Sequence, residues 1–369
     1  IYADQELYEN NASTMIGEDP STRHSLNYYY NGQIGDWNID FNADGLWNVK
    51  EESQHTREIT NGETENNVNT FNKNNGTLYA TKLIVSYPLW KGNLSFGGEY
   101  SHTSRTNLYH NQEGILDNDD SKIKEGSTAA FMDYSHSFGK VDVQAGVRYE
   151  NVKFDYYEQG KHIDEQSRTF NNVFPSVNIN FPIGKTQIQL SYSGGITRPS
   201  YDMLRGNIYY GNRYTYQTGN PFLKPIINQD LIFSASYKWV NFSFTYNRTK
   251  DDIIQVCEPY SEADPTISLL KTVNTEPYNN IISAITLSPT ISWWSPQLTA
   301  QVFKQWLHAE GPDGKLTLSK PRTIIVWRNS FTLPAGFLFD VDGTYYTKGH
   351  SQNMYMGINS LDVSMGLYK

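Results

Sequence analysis

The chain has 369 residues, a formal net charge of -9 and a sequence pI of about 5.4. This acidic balance, without a basic patch that interleaves aromatics, argues against nucleic acid as a partner. The single cysteine, Cys257, excludes an internal disulfide and a cysteine-built zinc site. No segment reaches the roughly 18 uninterrupted apolar residues of a membrane helix, and the mean hydropathy of -0.60 would by itself suit a soluble protein.

Taken in chain order, residues 1–22 are polar, and we expect them to form the irregular tail of a loop. Predicted strands then follow in pairs, and most pairs meet at a short turn where Gly or Pro lies beside an aromatic residue. The short turns lie near 35–36, 88–92, 138–140, 182–185, 238–241, 293–296 and 333–336. Long polar segments separate the pairs, at about 51–75, 107–125, 157–168, 199–225 and 310–319.

The strands are predicted from an alternation of apolar and polar residues. In residues 141–149, Val, Val, Ala, Val and Tyr alternate with Asp, Gln, Gly and Arg, and the same period of two recurs at 187–192, 242–247 and 361–367. This period gives each strand one apolar and one polar face. Only every second residue of such a strand would meet lipid, so low hydropathy is compatible with a transmembrane β-barrel.

The two classes of connection favour the barrel over a soluble antiparallel protein. Outer-membrane barrels have short periplasmic turns and long extracellular loops, whereas a soluble sandwich has no reason to sort its loops by length. Aromatic residues at the short turns would form the periplasmic girdle. The sequence therefore predicts an all-β, antiparallel transmembrane barrel, with polar residues such as Asp40, Asp142, Arg148 and Asp340 lining its lumen.

The segment 259–292 allows two interpretations. A turn at 275–279 would add a strand pair, whereas one very long strand over 266–293, with an irregularity at Pro277, preserves the alternation of long and short connections. The second interpretation is preferred and gives about fifteen strands. A barrel in lipid cannot leave edge strands unpaired, and bacterial single-chain barrels have even strand numbers. We therefore expect residues 1–369 to be a single barrel domain that is incomplete at both ends; the start at Ile1 shows no signal peptide.

One region has a more specific pattern. Residues 193–201 read SGGITRPSY and, after a Tyr-rich stretch, residues 218–225 read TGNPFLKP. These motifs, with VRYE at 147–150 and FPSV at 174–177, resemble the central region of TonB-dependent outer-membrane receptors, in the variant of the large receptor-like barrels of Bacteroidetes. Pro199 and the turn residues 219–221 suit the exit from a strand and a shaped external loop, so a structural role for the motifs is preferred over ligand binding by Arg198 or Tyr201.

The resemblance implies a 22-stranded barrel, a plug domain and a segment that contacts TonB; neither plug nor TonB segment is recognised in this chain. It further implies a place in the bacterial outer membrane and import of a nutrient, whether siderophore, glycan or peptide. Lipid, TonB through the plug, and a surface lipoprotein are the expected partners. A plugless porin or envelope scaffold is the alternative, and a soluble extracellular glycan-binding protein is a third hypothesis.

No catalytic, metal or cofactor motif stands out, and the sequence predicts a protein that is not an enzyme. The acidic run 117–120 lacks the spacing of a calcium loop and is interpreted as solvated surface. The best candidate ligand surface combines aromatic faces with a cation, which suit sugars or peptides. Its residues are Tyr209, Tyr210, Arg213, Tyr214 and Tyr216. The alternative for this stretch, which the sequence favours, is packing against neighbouring loops.

Overall fold

The computed structural model describes residues 2–3, 6–7, 11–263, 265–311 and 314–369. This part of the chain consists of strands, turns and three short 3-10 helices at Asp164–Gln166, Tyr201–Leu204 and Pro334–Gly336. None of the helices in these ranges is long and apolar enough to cross a membrane.

The strands of the described residues are numbered here in chain order. The first group is β1 (Tyr2–Ala3), β2 (Glu6–Leu7), β3 (Asn11–Glu18), β4 (Ser21–Ile34), β5 (Trp37–Thr60), β6 (Glu63–Leu89), β7 (Gly92–Asn111), β8 (Asp119–Phe138) and β9 (Val141–Glu158). The second group is β10 (Lys161–His162), β11 (Arg168–Ile183), β12 (Thr186–Thr197), β13 (Ile208–Asn212), β14 (Thr215–Thr218), β15 (Ile226–Tyr237), β16 (Val240–Lys250), β17 (Ile253–Pro259) and β18 (Ser268–Asn274). The third group is β19 (Tyr278–Leu287), β20 (Trp294–Gln305), β21 (Leu307–Gly311), β22 (Gly314–Leu318), β23 (Arg322–Thr332), β24 (Leu338–Tyr346), β25 (Gly349–Ser351), β26 (Met354–Met356) and β27 (Ser360–Tyr368).

Seventeen of these strands form one large antiparallel sheet, which is the wall of the molecule. Two of them, β3 and β10, are short and pair beside the ends of β5 and β9. The remaining fifteen pair in an unbroken series, each with the next: β4, β5, β6, β7, β8, β9, β11, β12, β15, β16, β19, β20, β23, β24 and β27. This series confirms the all-β antiparallel fold and the predicted number of about fifteen strands.

The wall has one apolar and one polar face. Residues directly opposite each other on paired strands share a face. The registers place Asp40 opposite Asn31, and Asp142 opposite Asn180, while a few apolar residues such as Ile84 and Phe131 also lie on this face. Followed from strand to strand, the same registers put Asp40, Asp142, Arg148 and Asp340 on the polar face, as the sequence predicts. The opposite face carries apolar and aromatic side chains in contact with solvent, such as Val147 and Tyr149, which are 42% and 46% exposed.

The short connections lie at one end of the wall, as predicted, and most are tight turns. The turn predicted at 293–296 is misplaced, because Ser295 and Pro296 are paired within β20 and the connection is 288–293. Trp90 and Lys91 both have positive φ, 49° and 63°, between β6 and β7, as in the two-residue turns that match the twist of a hairpin. Gly139 and Gly184 also adopt positive φ in their turns, where glycine carries no steric cost.

The expectation of a polar loop over most of 107–125 is wrong, because β7 runs to Asn111 and β8 begins at Asp119. The expectation of a polar loop over 51–75 is also wrong, because β5 and β6 continue through this segment. They pair up to Thr60 and Glu63 and turn at Asn61–Gly62, with φ of 50° and 88°. Asn-Gly is a strong signal for such a turn, and the polar composition of both faces hides the strands. The expectation of an irregular tail over 1–22 is wrong for Asn11–Glu18, which pairs with β5, while residues 1, 4–5 and 8–10 lie outside the described residues.

The single long strand expected over 266–293 is also wrong. β18 ends at Asn274, the segment 275–277 is irregular, and β19 begins at Tyr278. Pro277 has no backbone N–H to continue a ladder, and β18 leaves the wall to pair with β14 and β17. The sequence favours the single strand because it preserves the alternation of long and short connections. That alternation is present, since β19 and β20 are joined by the short connection 288–293.

The long connections carry small sheets of their own. The sheet in the order β13-β14-β18-β17 combines two segments far apart in sequence, and its β14–β18 pair is parallel. The hairpins β21–β22 and β25–β26 belong to later connections; residues 312–313 of the predicted loop 310–319 lie outside the described part of the chain. We call the four-stranded sheet together with the segment 199–225 the loop module.

Candidate ligand site

A ladder of charged side chains on the polar face holds the base of the loop module. Arg148 Nη2 lies 2.6 Å from Glu99 Oε2 and 3.0 Å from Glu150 Oε2, and Lys82 Nζ lies 2.7 Å from Glu99 Oε1. Arg198, the first residue beyond β12, donates to Glu150, whose side chain is 4% exposed. Arg198 therefore fixes the exit of the chain from the wall, which agrees with the preferred structural role of this motif.

The motif at 218–225 shapes the next part of the module. Asn220 Oδ1 accepts from Phe222 N at 2.9 Å, and Asn220 Nδ2 donates to Thr272 O at 3.0 Å, which ties the turn to β18. A Cβ at Gly219 would lie 2.5 Å from Arg205 O and 2.6 Å from Met203 O, so this position has no room for a side chain. The geometry gives this motif, too, a structural role.

Two of the five predicted ligand residues are buried inside the module. Tyr210 and Tyr216 are 5% and 7% exposed and pack in a cluster with Val68, Tyr109 and Leu116. Tyr209 is half-buried, with its ring centroid 5.0 Å from that of Tyr109. Tyr210 and Tyr216 thus pack against neighbouring elements, which is the alternative that the sequence favours.

The other two predicted residues, Arg213 and Tyr214, lie at the turn between β13 and β14. Arg213 lies with its guanidinium 5.3 Å from the centre of the Tyr214 ring and donates through Nη1 to Thr60 Oγ1. Tyr214 O accepts from Ser268 N at 2.8 Å, at the start of β18. Both residues therefore join the turn to its neighbours, and the structure brings the five residues together as one packed unit.

The contact between module and wall centres on Glu58 of β5, which is fully buried. Its Oε2 accepts from the Tyr210 hydroxyl at 2.7 Å, and its Oε1 accepts from Arg213 N at 2.9 Å. Burial, and then the bond to Glu58, raises the pKa of Tyr210 well above its usual value. Burial also raises the pKa of Tyr109 to about 12. The Tyr210 phenol is therefore protonated at neutral pH and donates its hydrogen bond to Glu58.

Between module and wall lies a cavity of about 690 Å³, a size that is typical of small-molecule sites. It is lined by residues of β3, β5, β6 and β7 on one side and of the module on the other: Met15, Glu52, Gln54, Thr70, Asn72, Tyr109, Ser200, Asp202, Met203, Arg205, Tyr209, Tyr210, Gly211, Gln217, Thr218, Gly219, Ile253, Ile254, Gln255 and Thr272. Of the predicted ligand residues, Tyr209 and Tyr210 reach this cavity. Within the described ranges, no three His, Cys, Asp or Glu side chains are grouped so that they could hold a metal ion.

Sequence reasoning missed the wall side of this cavity. Glu52, Gln54 and Glu58 fall in the segment interpreted as a loop, yet they continue the even-numbered series of polar-face residues that includes Asp40. Polar residues continue at the even-numbered positions up to the Asn-Gly turn, and this pattern could have identified the three residues from the sequence.

A curved antiparallel wall with a polar face, short turns at one end and folded loops at the other defines an outer-membrane barrel protein. The model of the outer membrane protein beta-barrel family matches residues 32–367, and the chain belongs to this family. The family confirms the predicted location in the outer membrane. A comparison with curated proteins found no match.

Solved structures of outer-membrane receptors share the fold. The chain is 11% identical to the ferric yersiniabactin uptake receptor FyuA from Yersinia pestis, with a TM-score of 0.56 over 95% of this chain and 54% of that one. The ferric-catecholate import receptor Fiu from E. coli gives 9% identity and a TM-score of 0.53, over 90% of this chain and 58% of that one. The siderophore receptor PiuA from Acinetobacter baumannii is 9% identical, with a TM-score of 0.52 over 89% of this chain and 57% of that one. At these identities the likeness concerns the fold, and the chain spans less than two thirds of each receptor.

Proposed function

We propose that the chain is part of the wall of a TonB-dependent receptor that imports a nutrient through the outer membrane. The observation that carries this proposal is the cavity between the loop module and the polar face of the wall, at the end of the barrel where the long loops lie. A loop that is fixed to the wall by Arg198 and Glu58 offers incoming solutes a formed site rather than an open mouth.

The likeness of fold to receptors named for siderophore uptake supports import as the activity. In the proposal the chain binds and guides the solute, TonB acts through a plug domain, and a surface lipoprotein assists capture. The proposed role involves no bond making or breaking by the protein. The variant found in Bacteroidetes remains the proposed affiliation.

The experiment is uptake by cells that carry the full-length receptor, with and without TonB. Deletion of the receptor and deletion of TonB are each expected to abolish accumulation of the same labelled solute from dilute medium. Accumulation that needs the receptor but persists without TonB would contradict the proposal and support the porin alternative, because passive diffusion needs no energy coupling.

A further inference from the structure

We propose that the cavity between the loop module and the wall binds a neutral, hydroxyl-rich ligand, that is, a saccharide, rather than an anionic chelate. This inference rests on the proposed function and names the substrate class of the same site.

The charged residues of the cavity disfavour an anionic ligand. Among its described lining residues are two carboxylates, Glu52 and Asp202, and one cation, Arg205. Arg205 is already engaged: its Nε donates to Asp202 O at 3.2 Å, and its guanidinium lies 4.3 Å from the centre of the Tyr209 ring, whose hydroxyl accepts from it. Both carboxylates are paired as well, Asp202 with Arg105 at 2.7 Å and Glu52 with Lys50 at 3.6 Å. An anion entering here would therefore find no uncommitted cation in the lining and would have to displace the contacts of Arg205.

The neutral polar groups of the cavity suit hydroxyl groups instead. Gln54, Gln217 and Gln255 carry amides that both donate and accept, and the last two are exposed. Asn72 is 5% exposed, yet its Oδ1 has no hydrogen-bond partner among the described residues. The hydroxyl of Thr272 is likewise buried and unpaired in the same part of the chain. A buried acceptor without a donor costs free energy, so Asn72 favours a ligand that brings hydroxyl donors.

An aromatic face completes the site. The Tyr209 ring lines the cavity and is held at 63° to the Tyr109 ring, with 5.0 Å between the centroids. Since Arg205 lies over one face of this ring, the opposite face is the apolar surface left for the C–H side of a sugar, and the amides of the cavity address the hydroxyls at the sugar's edge. The aromatic ring of Tyr209, the neutral amides and the already paired Arg205 together favour a saccharide.

The test uses the full-length receptor in detergent micelles, with a glycan array of neutral oligosaccharides and a ferric tris-catecholate chelate as the anionic probe. We expect binding to a subset of the glycans and at least tenfold weaker binding after the double substitution Gln217→Ala and Gln255→Ala, which changes exposed side chains only. Gln33→Ala, on the exposed strand β4, is the matched control and is expected to bind like the unmodified receptor. Heat-modifiable migration in gels reports whether each variant is folded.

Two results would overturn the inference: no glycan bound by the folded receptor, or tight binding of the chelate that the double substitution weakens. Failure of the import proposal is distinguishable from either. TonB-independent uptake of a glycan that binds in this cavity would contradict TonB-dependent import and leave the saccharide assignment standing. TonB-dependent uptake of the chelate through this cavity would support import and contradict the saccharide assignment.

Discussion

At the scale of single residues, the site depends on a few buried polar groups that lie far apart in the sequence. Glu58 lies 152 positions from Tyr210, and the two meet only because β5 extends beyond the wall and the module folds back upon it. The sequence identified the Tyr-rich segment, since its composition is unusual, but it could not identify Glu58. The sequence around a single glutamate in a polar segment does not indicate which distant residue it will contact.

Replacing Glu58 by alanine removes the acceptor of both the Tyr210 hydroxyl and the Arg213 amide. Leaving buried donors unpaired costs about 1–3 kcal/mol, and we expect this loss to loosen the module while the wall stays folded. Hydrogen exchange of the amides in 208–218 should become roughly tenfold faster or more, since about 1.4 kcal/mol corresponds to a factor of ten. Glu165→Ala, at an exposed glutamate of a 3-10 helix, is the control. Unchanged protection in the Glu58 variant would show that the anchor is not needed.

At the scale of elements, turn chemistry and alternation predicted the wall well and the loop end poorly. Strand number and short turns follow from a period of two and from Gly, Pro and aromatic residues at the turns. The extension of β5 and β6 was missed because strands outside lipid need no apolar face. The parallel β14–β18 pair joins segments about fifty residues apart, and no local pattern encodes such a pairing.

The extension should depend on its turn at Gly62, where φ is +88°. A valine there has a Cβ in a left-handed conformation, which costs roughly 1–2 kcal/mol, and we expect the end of the hairpin to fray. Trypsin should then cleave after Arg57 faster than in the unmodified receptor. The matched control is Gly126→Val, because Gly126 has an ordinary φ and no atom within 4 Å of the position of a Cβ. Equal cleavage rates in the two variants would contradict this role of the turn.

At the scale of the whole molecule, the wall turns one face toward lipid and the other toward the lumen. Family membership and fold place this wall in the outer membrane, while cargo and energy coupling are proposals that the loop end supports. The expected total of 22 strands and the incompleteness of the barrel domain stay predictions that follow from the resemblance and from the odd number of wall strands.

The most direct test places nitroxide spin labels one at a time at 142–149 of β9 in the full-length receptor, with Cys257 replaced by serine and the receptor reconstituted in bilayers. The odd positions, from Val143 to Tyr149, are predicted to be accessible to dissolved oxygen and shielded from a water-soluble nickel chelate. The even positions, from Asp142 to Arg148, are predicted to show the lower oxygen accessibility of a polar face. A period of two in the oxygen accessibility would support the membrane wall, whereas equal access of the chelate to both sets would contradict it.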